Sequence, residues 1–396
     1  MRRIAVFTHG GVALPSSPME IPAIAGLVRR LSENFDITVY TVVKPDGYSR
    51  SFNCGRATVQ FVQSRLGSAS PIMAARMIQE FLRDHRIQPY VLVHGFWSVP
   101  GGLTADLAGW VASVPSVVTL LGGETADVPS IRYGNLSHPL SKQATLWTCR
   151  NATVLTVLTE FQRAGLDRTR VNRETLAIPF GAEPEFYRPS TEYPDLMPPL
   201  RILHVGSLNA VKDQRTLLLA FRRVASTIDS RLTVVGGDTL HGRIQALARE
   251  LGIADRVRFT GYLPHAQVRD YLFQAHILLH SSLYEGQGLV FAEAASAGVP
   301  ICGTRVGLLS DLGNSFAQIA EPGDHEGLAA GVLRIASDPV LRSRLRSWAF
   351  SWARTHGADW TATQFTDVYE SAMSQHQRQS PDVYEGPLNV RQSAMQ

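Results

Sequence analysis

With 396 residues, 44% of them hydrophobic and 18% charged, the chain has the length for two domains and an ordinary globular composition. A net charge of +4 and a mean hydropathy of −0.03 exclude a disordered or collagen-like protein, and no run approaches the roughly 20 apolar residues of a membrane span. Cys54, Cys149 and Cys302 have neither metal-ligand spacing nor the even count of a disulfide framework, which favours a reducing, cytoplasmic setting.

The first ten residues carry only a four-residue apolar stretch before a Gly-rich turn, so they read as a first buried strand rather than a secretory leader. Residues 1–190 hold 19 Lys+Arg against 14 Asp+Glu, and residues 191–396 hold 19 against 20. The positive surplus of the first half fits a solvated surface, and also peripheral contact with an anionic membrane at its inner face. It contains no polybasic cluster, and no nucleic acid is expected as a partner.

In chain order, short apolar runs alternate with amphipathic ones. Arg3–Thr8 predicts a strand, Ile21–Leu31 a helix, Ile37–Val43 a strand and Ile72–Leu82 a helix. Tyr90–His94 and Ser116–Leu121 are strand-like, with a helical Gly102–Val111 between them. That rhythm implies βαβ units and a mostly parallel sheet. A Pro-rich break follows, and the rhythm restarts at strand Arg201–Val205. Helix Asp213–Thr227, strand Arg231–Val235, helix Gly242–Leu251, strand Val257–Thr260 and helix Gln267–Gln274 come next. Strand His276–His280, helix Leu289–Ala297 and strand Pro300–Gly303 complete the pattern, and the chain is helical from about Pro322 to Gln375. The expected organisation is α/β: a Rossmann-like domain over 1–185, a linker over 186–199, a second Rossmann-like domain over 200–355, a helix over 356–375 and a polar, disordered tail over 376–396. Two parallel sheets in tandem leave a cleft between their carboxyl ends, where ligands of open α/β sheets bind.

Absences prune the chemistry. None of the three lysines (Lys44, Lys142, Lys212) sits in a P-loop, no G-x-G-x-x-G follows the first strand, and there is neither a G-x-S-x-G elbow nor H-E-x-x-H. His276 and His280 flank an apolar triplet and read as packing rather than as metal ligands. The strongest signal runs from His276 to Ala294, where a strand passes through a Gly-rich loop into a helix. The first amides of that helix, from Gly288, Leu289 and Val290, form an anion site, and Gly286 and Gly288 let the backbone approach a phosphate. Glu285 and Glu293 suit neutral hydroxyl groups, because a carboxylate accepts such bonds well.

Glu285 and Glu293, with seven residues between them, resemble the E-x7-E motif of retaining glycosyltransferases of the GT-B fold. The flanking Ser281-Ser282-Leu283-Tyr284-Glu285-Gly286-Gln287-Gly288 and Gly298-Val299-Pro300 are similar to glycosyltransferase family 4. His204-Val205-Gly206-Ser207 with Lys212 resembles the family's strand–G-R-L–x–K element, whose cations grip the diphosphate. Serine stands at 207 where arginine is usual, and Arg305 is a candidate substitute. Val118–Glu124 resembles the T-L-H-G-x-D element, with Leu121 in place of the histidine that contacts the reacting sugar or acceptor.

The resemblance implies a GT-B fold with the C-terminal helix crossing back onto the first domain. It also implies transfer of a hexose-type sugar from a nucleoside-diphosphate sugar, UDP- or GDP-linked, to an acceptor hydroxyl on a glycan, lipid-linked saccharide or small molecule. No cofactor or metal is expected. On the donor side it points to Gly206, Ser207, Lys212, Gly261, Tyr262, Leu263, Glu285, Gly286, Gln287, Gly288, Leu289, Val290 and Glu293. On the acceptor side it points to Gly10, Gly11, Glu20, His94 and Glu124, with Lys212, Glu285 and His94 as catalytic candidates. His94 reads equally as a structural histidine, and Glu20 as a helix-start charge. A hydrolase or phosphorylase on this scaffold, and a non-catalytic sugar-nucleotide binder, remain as alternatives.

Overall fold

The computed structural model describes residues 1–12, 21–42, 51–62, 71–171, 173–188, 193 and 196–379. Glu20, part of the proline-rich linker and the tail from Ser380 onward lie outside the described residues.

The first half contains β1 (Arg3–Thr8), α1 (Pro22–Leu31), β2 (Asp36–Thr41), β3 (Ser51–Cys54), β4 (Ala57–Phe61), α2 (Pro71–Ile87) and β5 (Leu92–Phe96). There follow α3 (Leu103–Ala112), β6 (Ser116–Thr119), α4 (Pro139–Asn151), β7 (Val154–Val157), α5 (Glu160–Asp167) and β8 (Thr175–Ala177). The strands form one sheet in the order β3-β4-β2-β1-β5-β6-β7-β8. It is parallel except at β3, which pairs antiparallel with β4. That hairpin, turned at Gly55 (φ +62), has no counterpart among the expected elements: its two strands are only four and five residues long, too short for a period to declare itself.

The second half contains β9 (Leu200–Val205), α6 (Gln214–Ala225), β10 (Ser230–Val235), α7 (Arg243–Glu250), β11 (Val257–Gly261), α8 (His265–Gln274) and β12 (Ile277–His280). It continues with α9 (Leu289–Ser296), β13 (Ile301–Thr304), α10 (Gly307–Leu312), β14 (Gln318–Ala320), α11 (His325–Ser337), α12 (Pro339–Thr355) and α13 (Ala358–Gln379). Six parallel strands run in the order β11-β10-β9-β12-β13-β14. The amphipathic face of α6 explains its place: Leu217, Leu218, Phe221 and Val224 are fully buried against Leu232, Ile277 and Leu279. Each such side chain contributes about 1.5–3 kcal/mol over an exposed one.

The last helix leaves this domain and enters the first core. Phe365, Val368, Tyr369 and Ala372 of α13 pack with Ile4, Val6, Ile37 and Val39. Arg30 of α1 holds Asp359 at 2.6 Å and Glu183 at 2.7 Å, tying α1, α13 and the segment before β9 into one cluster. This is the α/β, two-domain architecture with a returning C-terminal helix.

Candidate functional site

The loop after β12 meets the segment after β6 of the first sheet, where Tyr284 and Thr125 share a bond at 2.7 Å, and the loops after β9 and β12 meet beside it. After β9 the chain turns through Gly206 and Ser207 into a 3-10 turn, Ala210–Lys212, capped by Asn209 Oδ1, which accepts from the Lys212 amide at 3.1 Å. Ser281, just past β12, donates its hydroxyl to the carbonyls of Lys212 (2.9 Å) and Asp213 (3.0 Å). The backbone of Lys212 is thus fixed by two loops. Its side chain lies over Gly206, where a Cβ would come within 3.4 Å of the Lys212 Cδ.

Lys212 Nζ reaches Glu285 Oε1 at 2.5 Å. The same oxygen accepts from Ser282 Oγ at 2.6 Å and His280 Nε2 at 2.9 Å. Burial alone would raise the Glu285 carboxyl. The Lys212 ammonium and then His280 outweigh it and hold the group below the usual carboxylate range. His280 itself is fully buried, and burial keeps it neutral despite the carboxylate. It stacks on His204 at 5.1 Å, which burial and His280 together push down to about 3. One full positive and one full negative charge therefore sit on a neutral imidazole floor, with all three side-chain bonds concentrated on one oxygen of Glu285.

Beside this pair α9 begins. Gly288 (φ +79) is its N-cap, and a Cβ there would overlap the Phe291 ring. The amides of Leu289 and Val290 have no intrahelical partners, as at any helix start, and carry the positive end of the helix dipole. Across β9 and β10, Gly236 (φ +149) must be glycine because a Cβ would strike the Gly206 carbonyl at 2.1 Å. Gly237 and Gly261 (φ +73) have nothing within 4 Å of a Cβ, so open space stands above them. Tyr262, 47% exposed, and the partly buried Leu263 border that space. Glu293, one turn into α9, is buried and meets His265 Nε2 at 2.6 Å.

The chain itself is matched by two family descriptions. "Glycosyl transferases group 1" covers residues 195–352 and "Glycosyl transferase 4-like domain" covers residues 21–181. It is 30% identical to the glycogen synthase of Mycobacterium tuberculosis strain H37Rv over 354 residues, spanning 78% of this chain and 82% of that protein. The chain belongs to the group 1 glycosyltransferases. It is also 34% identical to the D-inositol 3-phosphate glycosyltransferase of Streptomyces avermitilis over 191 residues, 44% of this chain and 40% of that protein. The match therefore spans about two fifths of that relative's length. In fold, this glycosyltransferase is similar to sucrose-phosphate synthase of Thermosynechococcus elongatus (TM-score 0.80, 19% identity, 95% of this chain and 100% of the other). It is similar too to Anabaena HepE, solved with UDP-glucose (TM-score 0.73, 14% identity, 94% and 100%). The enzyme thus has the GT-B fold of family 4-like glycosyltransferases.

Several expected site residues of the glycosyltransferase have other tasks. His94 is fully buried: Nδ1 meets the Tyr369 hydroxyl at 2.7 Å and Nε2 the Thr119 hydroxyl at 2.8 Å. Burial pushes it down to about 3, so it is a neutral link between β5 and α13 and not a group in the cleft. Glu124 is also buried, and its two oxygens accept from the amides of Leu121 (3.0 Å) and Gly122 (2.6 Å). It shapes the loop after β6 and has little capacity left for a substrate. The Gln287 side chain brackets Phe180, accepting from its amide at 2.8 Å and donating to its carbonyl at 2.6 Å. It joins the domains instead of holding a donor. Gly286 turns its bare face to the first domain, where a Cβ would meet the Leu121 carbonyl at 2.8 Å. Arg305 pairs with Glu321 at 2.6 Å on an exposed surface and does not substitute for an arginine at exposed Ser207.

Gly10 and Gly11 follow β1. The carbonyl of Gly11 (φ +86) accepts from the amide of Ile21 at 2.9 Å, which ties the end of β1 to the start of α1. Three further residues stand outside the expected set of site residues. His9 Nδ1 is buried with no hydrogen-bond partner, and burial lowers its pKa. Trp97, next to β5, holds φ 61 and ψ 152, a conformation that costs a bulky residue about 1–3 kcal/mol and is found at functional sites. Tyr133 lies near enough to Glu285 and Glu124 that both carboxylates, after burial, raise it to about 12. His9 directly precedes the Gly10-Gly11 pair, in the segment that the resemblance places near the transferred sugar, whereas Trp97 and Tyr133 sit in no recognisable motif.

Proposed function

We propose that this glycosyltransferase moves a hexose-type sugar from a nucleoside-diphosphate sugar to an acceptor hydroxyl, with retention of anomeric configuration. The observation that carries the reading is the Lys212–Glu285 pair set beside the free amides of α9. An ammonium and a helix start converge where charge develops on a departing diphosphate, while a carboxylate next to them accepts bonds from sugar hydroxyls. Glu293 would take the ribose hydroxyls, and the open space over Gly237 and Gly261 would take the base. The solved Anabaena HepE complexes with UDP-glucose and UDP favour a uridine nucleotide.

Retention is supported by the acids and bases expected on the acceptor side that lie among the described residues; Glu20 lies outside them. Of the acids and bases expected there, His94 and Glu124 are both committed internally. In a front-face displacement the acceptor proton passes to an oxygen of the departing diphosphate, the C1–O bond to phosphate breaks, and the new C1–O bond forms on the same face. The protein's share is then positioning and charge stabilisation. The acceptor is a saccharide, a lipid-linked saccharide or a small molecule. We place the enzyme in the cytoplasm, with peripheral membrane contact through the first domain if the acceptor is lipid-linked. No helix among the described residues is long and apolar enough to cross a membrane.

The test is thermal stabilisation by UDP, GDP, ADP and TDP, with and without sugars, for the wild type and Glu293→Ala. One nucleotide should raise the melting temperature of the wild type and fail with the variant. No shift with any nucleotide overturns the donor-site reading. The anomeric configuration of the product, read by NMR coupling constants, decides retention against inversion.

A further inference from the structure

Glu293 is nearly dehydrated, with 5% of its side chain exposed. A carboxylate in that state needs a partner, and His265 supplies one at 2.6 Å. His265 opens α8, directly after Pro264. Its ring packs on Phe186, itself fully buried, at a centroid distance of 4.6 Å and 36° between planes. The groups facing it are Glu293 from α9 and, from the segment before β9, Glu185 and Glu183. Burial works against its charge, but the bond to Glu293 and then the charges of Glu293, Glu185 and Glu183 prevail, so its pKa rises above the ordinary histidine value.

We infer that His265 is a positioning residue for the donor nucleotide: it pins one oxygen of Glu293 so that the other is presented to the ribose hydroxyls. The inference rests on the reading of Glu293 as the ribose contact and adds the group that orients it. A lone carboxylate on a helix turn can swing among rotamers. Anchoring one oxygen by a charge-assisted bond leaves the second with a fixed direction, which is what discrimination of a diol requires. Packing on Phe186 fixes the imidazole in turn, so the ribose site is braced by the segment that joins the two domains. Because the folded-state pKa is raised, the charged pair is fully present below the ordinary histidine pKa and is lost as pH climbs through the raised value.

The test is isothermal titration of UDP and 2′,3′-dideoxy-UDP into wild type, His265→Ala, His265→Gln and Glu293→Gln. Both ligands carry the same base and diphosphate, so their affinity ratio isolates the ribose hydroxyls. His265→Ala and Glu293→Gln should each weaken UDP about tenfold, the worth of one charge-assisted bond, and leave the dideoxy ligand unchanged. His265→Gln, which keeps a donor, should hold most of the UDP affinity. Between pH 6 and pH 9 the wild-type ratio should fall, while the glutamine variant's ratio stays flat. Equal loss of both ligands in His265→Ala means a merely structural role and overturns the inference, as does a wild-type ratio in that variant. If Glu293→Gln binds UDP normally, the ribose reading fails first and the inference falls with it. Both fall together as well if the wild type binds neither ligand.

Discussion

Replacing Lys212 by methionine removes the one full positive charge that meets Glu285 while keeping the stem over Gly206. The carboxylate, 11% exposed, is then left with neutral His280 and Ser282. Removing one partner of a buried ion pair costs about 3–5 kcal/mol. Lys212 is 21% exposed, so water enters the gap and ~2–3 kcal/mol is the expected loss, read as a lower urea midpoint at constant slope. Adding Glu285→Gln removes the stranded charge and should restore half or more of that loss. The pH dependence follows from the sign of the shift. The depressed Glu285 carboxyl contributes stability that is fully present above its ordinary pKa of 4.5 and lost as pH falls toward the folded value. Wild type should therefore weaken on acidification below that point, and Lys212→Met should weaken less. Turnover should drop by about 10²–10³, the cost of one donor to a developing oxyanion, with acceptor KM little changed. A variant as stable as wild type, with the same acid limb and near-normal turnover, would refute both the ion-pair and the phosphate assignment.

Two further expectations separate scaffold from chemistry. His94→Phe strands the Tyr369 hydroxyl, while the Thr119 hydroxyl keeps its bond to Thr156 at 2.7 Å; it should cost about 1–3 kcal/mol in chemical denaturation, yet leave kcat of the folded enzyme near that of wild type; a collapse of kcat at full folding would return His94 to the reaction. Gln287→Ala removes both bonds to Phe180 and should destabilise the closed arrangement by about 1–3 kcal/mol, visible as a larger radius of gyration in solution scattering. An unchanged scattering profile would show that the pair does not hold the domains.

The fold was legible because most of its strands are buried apolar runs and its helices carry one clean apolar face, patterns that belong to the local sequence. Arg3–Thr8 is a strand with the expected limits, and α6 and α9 lie within two residues of theirs. Glu285 and Lys212 each stood out as a residue type in a known context, but that they meet at 2.5 Å did not, because they lie 73 positions apart. Other residues were misjudged because their partners are remote in sequence. His94 reads as a cleft residue at the end of a strand until Tyr369, 275 positions later, covers it. Gln287 reads as part of a Gly-rich ligand loop until Phe180, 107 positions earlier, takes both of its amide groups. Glu124 is spent on backbone amides two and three residues away, a local bond that composition cannot announce because a carboxylate in a loop suits a substrate equally well.

Those remote bonds bear on the chemistry through a single segment. Tyr284 shares a bond with Thr125 of the first domain at 2.7 Å, the Gly286 carbonyl accepts from Thr159 at 2.6 Å, and Gln287 brackets Phe180. Farther along the same face, Asp311 of α10 accepts from the amides of Glu160 and Phe161 at the start of α5, at 2.7 and 2.8 Å. Of the four residues 284–287, three are held by the first domain, and only Glu285 turns back to Lys212 in the second. Its carboxylate is held by Lys212, His280 and Ser282 of its own domain, in a loop whose flanking residues bond to the other domain. Opening the domains would remove restraints on both sides of Glu285 while Lys212, fixed by Asn209 and Ser281 within its own domain, stays where it is. The two halves of the pair therefore differ in what restrains them: the backbone of Lys212 is fixed within the second domain alone, while the loop that carries Glu285 is bonded to both domains.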